Sequence, residues 1–160
     1  MNLAAQAPLW LVGILLLVLL GAALEDGWRL RISDTFPVAI IVAAILAAAL
    51  IGPTLGLWQN VVLSAGLLIA GTFLFSAGLL GGGDVKLFSA CGLWFDLASG
   101  WKMLVLASLA GGLLAILLLS SRSLIPKRAR VWIVLRPRGG IPYGIAISAG
   151  TATLVTLMRT

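Results

Sequence analysis

The stretch GGGDVKLFSACGLW, Gly81 to Trp94, sets an aspartate and a lysine among residues that are otherwise small or apolar. Three glycines precede Asp84, and Lys86 follows two residues later. Long apolar runs lie on either side. Whether those runs fill a globular core or face lipid decides the fold, and with it the meaning of the carboxylate.

Composition answers the first part. The chain has 160 residues, of which 61% are hydrophobic and 10% charged, with a mean hydropathy of +1.16. A soluble domain carries roughly a quarter of its residues as charges. This chain has too few polar groups to cover a globular surface, so lipid is its expected solvent. It contains one cysteine, Cys91, and no histidine. An intrachain disulfide framework and a Cys/His zinc cluster are therefore excluded, as is the commonest general base. Chemistry must come from carboxylates, hydroxyls or lysines.

A helix needs about 20 apolar residues to cross a bilayer, with wide tolerance. Six runs qualify: Pro8–Leu24, Val38–Ile51 with an extension towards Leu57 across Gly52 and Pro53, Val61–Leu80, the short Val85–Leu97, Met103–Leu119, and Ile141–Met158. Open strand edges leave hydrogen bonds unmade in hydrocarbon, so the spans should be helices. The expectation is an all-α integral membrane protein of six transmembrane helices, forming one membrane-embedded domain over residues 1–160. No repeat, low-complexity segment or second domain is visible, and the N-terminal run lacks the basic flank of a cleaved signal peptide.

Basic residues set the orientation. The first, third and fifth connections hold nine of the 11 lysines and arginines, six of them between Arg122 and Arg138. The opposite side has only Lys102 and Arg159. The odd connections should face the cytoplasm, with both termini on the other side. The net charge of +6 is read as topology and attraction to anionic lipid, with no nucleic-acid partner, and the VWIVL insert as a headgroup-layer segment.

This topology places four of the five acids, Glu25, Asp26, Asp34 and Asp84, at the cytoplasmic edge. Ionisable residues at such depth point to function by default. Structural readings stand beside that one. Asp84 could be the N-cap of helix four behind a glycine turn, Lys86 an interfacial anchor, and Asp26 an ordinary loop residue.

The surrounding pattern favours function. GGGDVK fits Gly-x-Gly-Asp-x-Lys, and Asp26 stands seven residues before Ser33 and eight before Asp34. Span six opens with IPYGIAISAG, Ile141 to Gly150. Together these resemble the type IV prepilin peptidases, membrane aspartic proteases of the Gly-x-Gly-Asp kind, and within them the short peptidase-only form found with Flp (tight-adherence) pili. The resemblance implies that Asp26 and Asp84 are the catalytic pair, with Gly81 and Gly83 the motif glycines and Lys86 the motif lysine. It implies a prepilin substrate with a basic leader and an apolar helix, a bacterial inner-membrane location, and no metal or organic cofactor. Longer members carry a cytoplasmic insert with paired cysteines and methylate the new N-terminus. That insert is absent here, so peptidase activity alone is expected. One position departs from the family: Ser33 stands where proline is usual, and a proline would stiffen the approach to helix two.

Two aspartates hydrolyse an amide when one is ionised and takes a proton from water while the other donates to the carbonyl. Close carboxylates resist joint ionisation, so their titrations separate. Lys86 could tune Asp84 or hold a lipid phosphate. Gly81, Gly82 and Gly83 should let the backbone approach an extended substrate and take torsions that other residues resist. Asp34 could orient the site, bind the leader or cap helix two. Cys91 reads as a buried thiol, Gly111-Gly112 as a close-packing pair, and Trp10, Trp58, Trp94, Trp101 and Trp132 as interfacial belts. A small transporter or a pilus-assembly scaffold is the alternative reading of the same acids.

Overall fold

The computed structural model of the chain describes residues 1–52, 55–124 and 141–160. The basic stretch from Lys127 to Arg138, the VWIVL insert with Trp132, and Pro53 lie outside the described residues. Among the described residues there are seven helices and no strand: α1 (Leu3–Gln6), α2 (Leu9–Arg29), α3 (Thr35–Ile51), α4 (Leu57–Ser76), α5 (Gly82–Gly92), α6 (Leu97–Leu124) and α7 (Tyr143–Leu157). Helices α2 to α7 fall in order on the six runs read from the sequence, and α1 is an addition.

By length and composition, Leu9–Arg29, Leu57–Ser76 and Leu97–Ser121 can cross a membrane, and α3 and α7 are shorter apolar helices. The window of α6 has a mean hydropathy of 2.4 yet only 11% of it is buried within the protein. An apolar surface left so bare is suited to lipid rather than to a core. Leu9, Leu17 and Phe73 are likewise exposed.

The helix expected at Val85–Leu97 begins and ends earlier, at Gly82 and Gly92. Eleven residues rise only about 16 Å at 1.5 Å per residue, roughly half a hydrocarbon core. The chain then turns through Leu93–Phe95, and α6 starts at Leu97 rather than near Met103. Asp96 explains the restart: its Oδ1 accepts the Ser99 N–H at 2.8 Å, a side-chain N-cap for a new helix. That turn buries Trp94 and Phe95 completely, and the Trp94 indole N–H donates to the Ile40 carbonyl at 3.3 Å. Trp94 is thus a core residue and not part of an interfacial belt, whereas Trp10, Trp58 and Trp101 are exposed.

The core joins Leu11, Leu15 and Leu19 of α2, one helical face by their spacing, to Ile40 and Ala47 of α3, Leu87 and Cys91 of α5, and Val155 of α7. Helix α7 packs on α2, α5 and α6. Its seam with α6 is close: a Cβ on Gly150 would lie 2.5 Å from the Ala107 backbone nitrogen. The expected packing pair behaves differently. Gly111 meets only the Ala146 methyl at ordinary contact, and Gly112 faces open space. At the end of the molecule holding both chain termini, Arg159 donates to the carbonyls of Ala4, Ala5 and Ala7 and ties α7 to α1.

Gly150→Val should therefore force α6 and α7 apart and lower stability by about 1–3 kcal/mol or more. Gly112→Ala should be neutral or stabilising by up to ~1 kcal/mol, through helix propensity alone. Unfolding of the purified protein in detergent measures both, and equal effects would contradict the seam described.

Candidate active site

Helix α2 does not stop at Leu24. It continues to Arg29, so Glu25 and Asp26 lie in its last turns and not in a loop. A cation in the last turn suits the helix dipole. Termination comes from Leu30, which takes the left-handed conformation at φ 52° while its N–H bonds the Asp26 carbonyl at 2.8 Å. Asp26 is 4% exposed. Its Oδ2 accepts the Gly144 N–H at 2.7 Å. Gly144 is in the first turn of α7, where N–H groups have no partner within the helix. The N-cap of α7 is Pro142, which has no side-chain acceptor to offer. Asp26 caps that helix from the neighbouring α2.

Asp84 is not the N-cap of its helix either. Gly81 holds that position, and Asp84, three residues in, reaches back so that its Oδ2 accepts the Gly81 N–H at 3.1 Å. Its Oδ1 is buried with no protein partner. Both aspartates line one cavity, Asp26 held by the Gly144 N–H and Asp84 by the Gly81 N–H.

Ile32 packs between the first turns of α5 and α7. A Cβ on Gly83 would sit 3.1 Å from the Ile32 carbonyl oxygen, and one on Gly144 would sit 2.6 Å from Ile32 Cδ1 and 2.8 Å from Asp26 Oδ2. These two glycines are needed for close approach. The expectation of unusual torsions at Gly81–Gly83 does not hold: Gly81 is extended at φ −78°, Gly82 and Gly83 are helical, and the left-handed glycines among the described residues are Gly52 and Gly78.

Lys86 does not pair with Asp84. Its Nζ donates to both carboxylate oxygens of Asp34, at 2.7 and 2.9 Å. Asp34 occupies the N-cap position of α3 but makes no capping bond with its side chain, which is taken by the lysine. Both side chains are more than half exposed, so the pair contributes at most about 1 kcal/mol. Ser33, at the position where proline was expected, gives its N–H and its hydroxyl to the two oxygens of Glu25 at 2.9 and 2.7 Å.

These groups surround an open cavity of about 650 Å³ lined by Asp26, Ile32, Asp34, Gly81–Gly83, Asp84 and Lys86, with Leu68, Thr72 and Phe75 of α4 as the facing wall. All the acids and glycines singled out from the motif are therefore in one place. No group of three metal-ligating side chains occurs among the described residues. Gly144, Ile32 and the α4 wall were not found from the sequence. Gly144 lies inside IPYGIAISAG, but nothing local shows that its N–H meets a carboxylate 118 residues away.

A family model, the type IV leader peptidase family, matches residues 13–119, two-thirds of the chain. No curated protein and no solved structure matches. The matched region holds both aspartates and the glycines between them, and stops before α7.

Gly144→Ala should push Asp26 and Ile32 away from α7. The expected result is a loss of leader peptidase activity of roughly tenfold to a hundredfold with the protein still folded. Activity and thermal unfolding of the same preparation measure it, and full activity would remove Gly144 from the site.

Proposed function

Because the chain belongs to the type IV leader peptidase family, we propose that it is a membrane aspartic endopeptidase that removes the basic leader from prepilins, with Asp26 and Asp84 as the catalytic pair. One observation carries this reading: two acids far apart in sequence line one cavity, one of them held by the Gly144 N–H and the other by the Gly81 N–H.

In this mechanism water bound between the carboxylates attacks the scissile carbonyl. The ionised aspartate takes the proton from water, and the protonated one donates to the carbonyl oxygen; the proton then passes to the leaving amine. Asp26 accepts from backbone N–H at the start of α7, surroundings that stabilise a negative charge. Asp84 keeps Oδ1 without a protein donor, which suits an oxygen that carries and delivers a proton.

The cavity is open and flanked by the exposed backbone of Gly81, where an extended peptide can pair as an added strand. Phe75 and Leu68 offer an apolar surface for the residues after the cut, where the prepilin helix begins. Arg29, Arg31 and Lys86 lie at this end of the molecule, which supports a site facing the cytoplasm, with six spans and both termini outside. We place the protein in the bacterial inner membrane as a single domain of the short, Flp-associated form, without methyltransferase activity or cofactor. A transporter or scaffold would use the acids for binding alone.

Asp26→Asn and Asp84→Asn each preserve the backbone-accepting oxygen and remove the titratable group. Each should lower prepilin cleavage roughly a thousandfold or more, without loss of folded protein. The wild-type rate should be bell-shaped in pH, falling at low pH when both acids hold protons and at high pH when neither does. Cleavage by either variant at the wild-type rate would remove that aspartate from the catalytic pair, whereas a wild-type protein that cleaves no prepilin while both variants still support pilus assembly would favour the scaffold reading.

A further inference from the structure

The nine residues from Glu25 to Ser33 close on themselves. Leu30 ends α2 in the left-handed conformation and turns the chain back. Ser33 then returns to the last turns of the same helix, its N–H on Glu25 Oε2 at 2.9 Å and its hydroxyl on Oε1 at 2.7 Å. Both acceptors belong to an ionised carboxylate, and such hydrogen bonds are about twice as strong as neutral ones. Arg29 stands 3.6 Å from Glu25 Oε1 on the helix surface.

What the closed loop holds is Ile32. This residue is 9% exposed and lies against Gly83 at the start of α5 and Gly144 at the start of α7. The first helix carries Asp84; the second presents the N–H that fixes Asp26. Glu25 itself is the residue before Asp26. One loop thus links the positions of both acids.

We infer that Glu25 and Ser33 form a clamp that seats Ile32 between Gly83 and Gly144 and thereby sets the separation of Asp26 and Asp84. These are positioning residues, since neither is placed to touch the reacting atoms. The inference rests on the two-aspartate reading above. It also gives a reason for serine at position 33: a proline would stiffen the loop through its ring but has no N–H or hydroxyl to give, so here the stiffness comes from Glu25.

The test uses the full chain in lipid and a prepilin that the wild-type protein cleaves. Ser33 is exposed, so Ser33→Ala removes one donor without disturbing the interior. Ser33→Ala and Glu25→Ala should lower kcat about tenfold or more with KM within about twofold, the mark of misplaced catalytic groups. Ser33→Thr keeps both donors and should restore kcat. The double variant should be no slower than Glu25→Ala, because the two residues act through one interaction. Amide hydrogen exchange over residues 27–34 should quicken in both single variants and not in Ser33→Thr. Wild-type kcat in Ser33→Ala and Glu25→Ala, a loss confined to KM, or fully additive losses would each overturn the clamp. Asp26→Asn and Asp84→Asn run beside them separate the two ideas: activity in either defeats the dyad, whereas their inactivity with intact clamp variants defeats only the clamp.

Discussion

The architecture depends on one contact, the Gly144 N–H on Asp26. It joins the end of α2 to the start of α7 and satisfies two groups that would otherwise be buried without partners. In a chain this apolar such a pairing has few competitors. A buried carboxylate without a donor and a first-turn N–H without an acceptor each cost a kcal/mol or more. Bringing them together removes both penalties and sets the ends of two helices against each other. Ile32 and the α5 terminus then fit into the space that remains.

The same logic locates the site. Within hydrocarbon the helix interior offers no free backbone groups, because each N–H and C=O is already bonded along the helix. Polar chemistry has to sit where helices begin and end. Asp26 lies in the last turn of α2 and meets the first turn of α7; Asp84 lies in the first turn of α5 and accepts from its N-cap glycine. The shortness of α5 is part of this arrangement. It presents Asp84 from its first turn, and the turn at Trp94, which bonds Ala4 at the end holding the termini, lets the chain start again as α6.

Much of this was legible in the sequence. Hydropathy alone separates the apolar runs, and the Gly-x-Gly-Asp pattern with Asp26 upstream marks the two acids that line the cavity. What was not legible has local causes. Periodicity cannot say where one apolar helix gives way to another, and the boundary between α5 and α6 is set by Asp96, which caps the second. A tryptophan near a helix end suits an interface or a corner, and Trp94 takes the corner because Ile40 offers its carbonyl. Asp34 has the position of a cap and not the bond, since Lys86 supplies a charged donor that backbone N–H does not match. Gly144 is invisible because its partner is remote.

Ser33 shows why departures from a pattern need chemistry before they are read as defects. The requirement at this loop is a fixed path from α2 to α3 that seats Ile32. A ring that locks φ meets it by restricting the unfolded chain; two hydrogen bonds to a neighbouring carboxylate meet it by stabilising the folded one. The two routes differ in their dependence on the rest of the chain. Proline acts alone, whereas serine acts only with an acceptor in reach, and Glu25 is about one helical turn from the end of α2 and within reach of Ser33. A glutamate beside the first aspartate is then tied to the serine by mechanism, and neither residue can be judged without the other.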